Sequence, residues 1–231
     1  MRSSGAVRCI GAILLCALLP AASGQTRVES FRENQHYAAL PVPTATDAGT
    51  VVVQELFSYA CIHCHAFEPA LSEWVERLPS DVRFERVPAV FSRAWMLLAE
   101  AYYVAEVCGV LDVTHDAMFA AIHERGRSFR DANDVADFYA DTVRGHRGGR
   151  CRSRQDFLAA FDSHEVASSV QQALALGRVW QVGGVPTLVV AGAWRTEGRM
   201  AGSNAAMLDV ADHLLRRART EAVAGVGVSD R

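Results

Sequence analysis

The feature that most restricts the fold of this chain is the pair Cys61-x-x-Cys64. Residues 51–57 form an apolar, Val-rich run bounded by turn residues, which predicts a strand at the centre of a sheet. Residues 62–77 place their apolar side chains on one face of a helix with 3.6 residues per turn. The two cysteines therefore lie between a buried strand and the first turn of a helix.

This position affects the chemistry of Cys61. The N–H groups in the first turn of a helix have no partner within the helix, and with the helix dipole they stabilise an anion. A thiolate at Cys61 is such an anion, so we expect its pKa to lie well below the roughly 8.5 of a free cysteine. His63 lies between the cysteines, where its imidazole can stabilise the thiolate by charge or hydrogen bonding. The alternative is that His63 is an ordinary surface histidine.

The remaining segments give the order of the other elements. Residues 82–87 alternate between apolar and polar, which predicts a second strand and completes a strand–helix–strand unit. Residues 92–174 have a mainly helical pattern. Residues 187–190 and 194–196 predict a hairpin, and a final amphipathic helix follows.

Two independent motifs give the chain a resemblance to a known family. The string Glu-x-Phe-Ser-x-x-Cys-x-His-Cys at residues 55–64 resembles the periplasmic disulfide oxidases of the DsbA family. Residues 184–187, Gly-Val-Pro-Thr before a predicted strand, resemble the cis-proline loop of thioredoxin-like proteins. The resemblance covers nearly the whole chain after residue 24. It implies an α/β, thioredoxin-like fold with an inserted all-helical domain.

The resemblance also implies roles for individual residues. Cys61 and Cys64 would form a redox-active disulfide, with Cys61 joined to the substrate in a mixed disulfide. Glu55 would lie beneath the cysteines and relay protons for Cys64, and burial should raise the pKa of Glu55. If the bond between Val185 and Pro186 is cis, this loop would present its backbone to an extended substrate. The plainer alternatives are a Glu55 on the exposed face of its strand and a Pro186 that merely begins a strand.

The cysteine pair has other interpretations. It could be a structural disulfide, or it could bind a metal together with His63 and His65, although no second pair has the spacing of zinc ligands. Residues 61–65, Cys-Ile-His-Cys-His, also match the haem-attachment pattern. The strand-to-helix context and the Val185-Pro186 motif favour the redox pair. We therefore predict no metal site, and we expect His65 to be a surface residue without a catalytic role.

The chain of 231 residues, half of them hydrophobic, is long enough for one large domain or a domain with an insertion. Residues 1–24 have the pattern of a signal peptide, with a charged start, a short apolar core and small residues before a cleavage site near residue 24. We expect residues 25–91 and 175–220 to form the two parts of a thioredoxin-like domain. Residues 92–174 would be the helical insertion and residues 221–231 a disordered tail.

Export would place the chain where disulfides persist. Four cysteines remain after residue 24, and the close spacing of the first two pairs them with each other. Cys108 and Cys151 are then left, and we predict a structural disulfide between them. Two buried free thiols or a redox-labile pair are the alternatives.

As a function, the resemblance implies a periplasmic thiol:disulfide oxidase that donates its disulfide to newly exported proteins with free thiols. It implies reoxidation by a quinone-linked membrane partner of the DsbB type and no bound cofactor. We expect a monomer, and the formal net charge of −3 gives no reason to expect nucleic acid as a partner. The alternatives are a reductase or isomerase of the same fold, an exported haem- or metal-binding module, and a chaperone without redox chemistry.

Overall fold

A five-stranded mixed sheet forms the centre of the protein. The structure, a computed structural model, describes residues 31–43 and 50–226, with side chains to residue 221. The strands are β1 (Ala38–Ala39), β2 (Val51–Phe57), β3 (Val82–Pro88), β4 (Thr187–Val190) and β5 (Trp194–Glu197). Their order in the sheet is β1-β5-β4-β2-β3, with β2 parallel to β3 and the other neighbours antiparallel.

The helices follow the predicted order, with one after β2, a block between β3 and β4, and a last helix after the hairpin. In the described part of the chain they are α1 (Ile62–Glu76), α2 (Arg93–Cys108), α3 (Leu111–His123), α4 (Ala132–Thr142), α5 (Arg154–Phe161), α6 (His164–Val179), α7 (Gly198–Ala201) and α8 (Ala206–Val226).

Strand β2 lies between β3 and β4 and is covered on both faces. Its Val53 packs with Leu188 and Val190 in the core that includes α1 and α8. Its Leu56 belongs to the second core, which contains the buried residues of helices α2–α6. Because both faces are buried, β2 is nearly continuously apolar instead of alternating, and its carboxyl end lies four residues before Cys61.

The helical block has clear capping signals. Ser92, Asp131, Ser153 and Ser163 precede α2, α4, α5 and α6, and each side chain accepts a hydrogen bond from the backbone N–H three residues later. Helix α6 is continuous across residue 174, where we placed the end of the insertion. The division of the chain into domains stays a prediction, but its second boundary does not coincide with a break in structure.

The hairpin of β4 and β5 confirms the prediction for residues 187–196. Ala191 and Gly192 have φ angles of 53° and 59°, the left-handed conformation that a tight hairpin turn requires. Glycine adopts this conformation readily, whereas alanine does so at a cost.

The C-terminal prediction needs correction, because α8 continues to Val226 and so includes residues that we expected to be disordered. Arg217 Nε donates to Glu221 Oε1 at 2.8 Å, an i,i+4 ion pair that supports this last stretch of helix. Residues 227–231 and the predicted signal peptide at 1–24 lie outside the described residues. Within the described ranges, no helix has both the length and the apolar character needed to span a bilayer.

Candidate active site

The fold places Cys61 and Cys64 at the start of α1, as predicted. Cys61 is the N-cap residue and is partly exposed, whereas Cys64 lies in the first turn and has no exposed surface. Both are free thiols in this structure. The Cys64 N–H donates to the Cys61 carbonyl at 3.1 Å, which closes the first turn. One sulfur is thus accessible to another protein, and the other is shielded beneath it.

The surroundings of the two sulfurs push their pKa values apart. A hydrogen bond from the Cys64 thiol, followed by backbone N–H groups of Cys64 and His63 and the charge of His63, lowers the pKa of Cys61 to about 6, despite the opposing effect of partial burial. Burial, followed by the interaction with Cys61 and the charge of Glu55, raises the pKa of Cys64 well above its usual value. Near neutral pH, Cys61 is therefore the thiolate and Cys64 the thiol.

We expect ultraviolet absorbance of the thiolate in the reduced protein to titrate with a midpoint near pH 6, because that is the pKa of Cys61. The signal should vanish in Cys61→Ser and persist in Cys108→Ala, which serves as the control for cysteine removal. A midpoint between pH 8 and 9 would show that the helix start does not stabilise the thiolate.

The predicted proline loop lies against the accessible sulfur. The Val185–Pro186 peptide bond is cis, and the Cys61 thiol contacts the Val185 carbonyl oxygen at 3.5 Å. Pro186 is buried, while Val185 is partly exposed. A chain segment bound at Cys61 would therefore run next to the backbone of this loop, which is the arrangement needed for pairing as an added strand.

The residues between the cysteines face solvent. His63 is exposed, and its charge is one of the groups that favour the Cys61 thiolate. Asn204 Nδ2 donates to the His63 carbonyl oxygen at 3.4 Å, so the loop before α8 contacts this turn. Ile62 is 52% exposed, an apolar surface directly beside the reactive sulfur. His63 is thus an exposed histidine whose charge favours the Cys61 thiolate, and its role in the reaction stays a prediction.

Glu55 lies inside the protein, on β2 six residues before Cys61. Its side chain has no exposed surface, and neither carboxylate oxygen has a hydrogen-bond partner among the described residues. Arg86 Nε lies 3.4 Å from Glu55 Oε2, at ion-pair distance. Burial raises the pKa of Glu55 to about 8, with Arg86 opposing this effect and Glu68 and Cys61 adding to it. A carboxyl group that titrates near neutral pH can both donate and accept a proton.

The other members of this buried polar cluster were not predicted from the sequence. Arg86, on β3, donates a hydrogen bond to Glu68 on α1. Tyr59 Oη lies 2.9 Å from His115 Nδ1 on α3. Burial disfavours a charged Glu68, but His115 and Arg86 lower its pKa overall. The available signal was Glu68 itself, since it falls on the buried face of α1, four residues after Cys64.

His65 is not the simple surface residue that we expected. Its ring stacks on His123 at 5.1 Å between centroids and on Phe119 at 5.6 Å, and Nε2 lies 3.5 Å from Glu124 Oε1. The side chain therefore packs onto α3. The two cysteines belong to no cluster of three metal-ligating side chains in the described ranges, so the structure gives no support to a metal site at Cys61 and Cys64.

Cys108 and Cys151 are joined by a disulfide in this structure, with their Cα atoms 5.2 Å apart. The bond ties the end of α2 to the segment before α5, and both cysteines are buried. It is separate from the free pair at residues 61 and 64, so among the described cysteines Cys61 and Cys64 are the two left for exchange.

No family model matches the chain. The thiol:disulfide interchange protein DsbA of Pseudomonas syringae pv. tomato is 38% identical over 217 residues, which cover 93% of this chain and 97% of the relative.

Solved structures of DsbA proteins are also similar to this chain. The crystal structure of Pseudomonas aeruginosa DsbA has a TM-score of 0.72 at 33% identity, covering 83% of this chain and 96% of that one. The oxidoreductase DsbA from Xylella fastidiosa has a TM-score of 0.71 at 36% identity, covering 80% and 96%. The predicted fold class, a thioredoxin-like fold with a helical insertion, is confirmed.

Proposed function

Since this chain belongs to the DsbA family and is a thiol:disulfide oxidoreductase, we propose that it acts as an oxidase, donating the Cys61–Cys64 disulfide to other proteins. The observation that carries this proposal is the contrast between the two sulfurs. Cys61 is accessible and has a lowered pKa, whereas Cys64 is buried and has a raised one. A pair of this kind favours the reduced form with a thiolate at Cys61 and so favours giving its disulfide away.

The exchange proceeds in two balanced steps. A substrate thiolate attacks the sulfur of Cys61, an S–S bond forms between substrate and Cys61, and the bond to Cys64 breaks with the electron pair leaving on Cys64. Cys64 then takes up a proton. A second substrate thiolate attacks the substrate sulfur of the mixed disulfide and expels Cys61 as a thiolate. The substrate is oxidised by two electrons, and the cysteine pair is reduced by two.

Glu55 is the residue that we propose as the proton donor for Cys64. Cys64 is a poor leaving group unless it is protonated as it leaves, because its pKa is raised. Glu55 interacts electrostatically with Cys64 and has a pKa of about 8, so it is largely protonated at pH 7. We assign it the role of proton donor in the first step and of proton acceptor when the disulfide is formed again.

The Glu55→Gln variant should slow attack on the disulfide by about 100-fold, because the amide keeps the shape but has no acidic proton. The wild-type rate should fall above pH 8 as Glu55 loses its proton, and this fall should be missing in the variant. Stopped-flow fluorescence with a reduced dithiol peptide measures both rates. Taking their ratio at each pH cancels the titration of the peptide thiols.

Asp209→Asn provides a matched control, because it also removes a carboxylate but lies on α8, outside this cluster. Its rate should equal that of the wild type at every pH. If the ratio of wild-type to Glu55→Gln rates does not change between pH 6 and pH 9.5, Glu55 does not transfer the proton.

The oxidase reaction is tested directly by mixing the oxidised protein with a reduced peptide that contains two cysteines. We expect one peptide disulfide to form for each protein molecule, with two new thiols on Cys61 and Cys64 by mass spectrometry. A peptide that stays reduced at equilibrium, with the protein still oxidised, would favour a reductase instead.

The biological setting is part of the proposal. We propose that residues 1–24 direct export, that the protein works in the periplasm as a monomer, and that its substrates are newly exported proteins with free thiols. A quinone-linked membrane oxidase of the DsbB type would reoxidise the cysteine pair. The predicted signal sequence, the family membership and the accessible Cys61 support this setting.

A further inference from the structure

A second cluster of potential metal ligands lies between α1 and α3, apart from the cysteines. Glu68, His115 and Asp116 each offer one ligand atom there, and these atoms all lie within 4.8 Å of one another. We propose that this cluster, the Glu68–His115–Asp116 site, binds a divalent cation of the zinc class. The proposal does not depend on the redox function, since the cysteines take no part in it.

Two atoms of the site are buried without a hydrogen-bond partner. Glu68 and His115 are 7% and 8% exposed, and Glu68 Oε2 and His115 Nε2 have no hydrogen-bond partner in the described part of the chain. They lie 3.5 Å apart. This is long for a hydrogen bond between charged groups. It is close to the separation of about 3.3 Å between two ligands of one tetrahedral zinc, which follows from bond lengths of about 2.0 to 2.1 Å.

Neighbouring groups orient both atoms toward this point. Glu68 Oε1 accepts hydrogen bonds from Arg86 and from Ser72 Oγ, which leaves Oε2 directed at His115. His115 Nδ1 lies 2.9 Å from Tyr59 Oη. If Nε2 binds a metal, Nδ1 carries the proton and donates a hydrogen bond to Tyr59 Oη, which would fix the orientation of the ring.

The third ligand and the route for the cation lie at the surface. Asp116 is exposed on α3. A surface cavity of about 350 Å³ is lined by Glu68 and Asp116 together with His65 and Phe119. It offers room for a water molecule as a fourth ligand. One imidazole, two carboxylates and an open position form a donor set suited to zinc.

The charges favour a cation over an empty cluster. Arg86 already balances one oxygen of Glu68, but Asp116 has no ion-pair partner among the described residues. A divalent ion would satisfy the unpartnered Oε2 and Nε2 atoms and join α1, which contains Cys64, to α3 of the helical block. The rival explanation is a direct ion pair between protonated His115 and Glu68.

The test is isothermal titration of the fully oxidised protein with zinc sulfate, because a protein without titratable thiols cannot bind zinc through Cys61 or Cys64. We expect one saturable site per chain and an X-ray absorption edge spectrum with nitrogen and oxygen neighbours but no sulfur. The variants Asp116→Asn and His115→Gln should each weaken binding by at least about tenfold. Asp116 is exposed, so its replacement tests the site without disturbing the core.

His65→Gln is the matched control, since His65 lines the same cavity but is not one of the three ligands. Its zinc affinity should equal that of the wild type. Absence of saturable binding to the oxidised wild type would overturn the proposal and leave the His115–Glu68 ion pair. Binding that survives both ligand substitutions, or that is lost in His65→Gln, would equally place zinc elsewhere.

Discussion

The Cys61→Ser variant is expected to lose disulfide exchange completely, because a serine hydroxyl cannot form the bond to sulfur on which every step depends. Cys61 is the accessible member of the pair. Its lowered pKa makes it the sulfur that forms the mixed disulfide with the substrate and is later released as a thiolate. Oxidation of a dithiol peptide by this variant should not exceed the background rate in buffer. Mass spectrometry of the peptide measures the outcome.

The Cys64→Ser variant should fail in a different way. Its reduced Cys61 thiolate can still attack a disulfide, but no second thiol is present beneath it to release the product. A mixed disulfide between protein and substrate should therefore accumulate. Excess added thiol should reduce it and separate the two proteins. Cys61→Ser must form no such complex. Exchange activity that persists in Cys61→Ser would show that Cys61 is not the exchanging sulfur and would contradict this account.

Removal of the Cys108–Cys151 disulfide should lower the free energy of unfolding by about 4 kcal/mol. The two cysteines are 43 residues apart in sequence, and the loop that the bond closes contains α3 and α4. The double variant Cys108→Ala/Cys151→Ala removes the bond and leaves no buried free thiol. Urea unfolding of the oxidised proteins gives both free energies, with equal slopes indicating that only stability has changed.

The control for this experiment is the single variant Cys108→Ala, which also lacks the bond but keeps one thiol. It should lose a similar amount of stability, because the closed loop is the larger contribution. A loss below about 1 kcal/mol in the double variant would mean that the pair adds little to the fold. Both variants should keep exchange activity, since neither cysteine lies at the active site.

Local sequence signals were sufficient for the elements around the cysteines. The Val-rich run of β2, the apolar face of α1 and the proline before β4 each identify one element without knowledge of distant residues. Glu55 could be singled out because a carboxylate is unusual within a buried strand. These features are sufficient to predict from sequence that the redox pair lies between β2 and α1.

The rest of the site depends on contacts between distant segments. Arg86 and His115 come from β3 and α3, and nothing in their local sequence indicates that both approach Glu68. His65 likewise packs on α3 through ring stacking that its own helix does not reveal. At α8, the helix runs past the predicted end into residues that composition alone marked as a tail, and the Arg217–Glu221 ion pair lies in this last stretch.

An oxidising cysteine pair requires a reduced form that is stable relative to the disulfide. The folded pKa of Cys61 is lower than the unfolded one, so this stabilisation is complete above pH 9 and is lost as the pH falls through 6. At pH 7 the contribution is about 1.4 kcal/mol, and solvent screening at the partly exposed Cys61 reduces it to about 1 kcal/mol. This raises the reduction potential by about 20 mV.

The most direct test of the account is the reduction potential of the Cys61–Cys64 pair, measured by equilibrating the purified protein with glutathione buffers at pH 7. We expect a value more positive than about −200 mV, with the reduced protein more resistant to urea than the oxidised one. A potential more negative than that, or an oxidised form that is the more stable of the two, would contradict the oxidase function and indicate a reductase on the same fold.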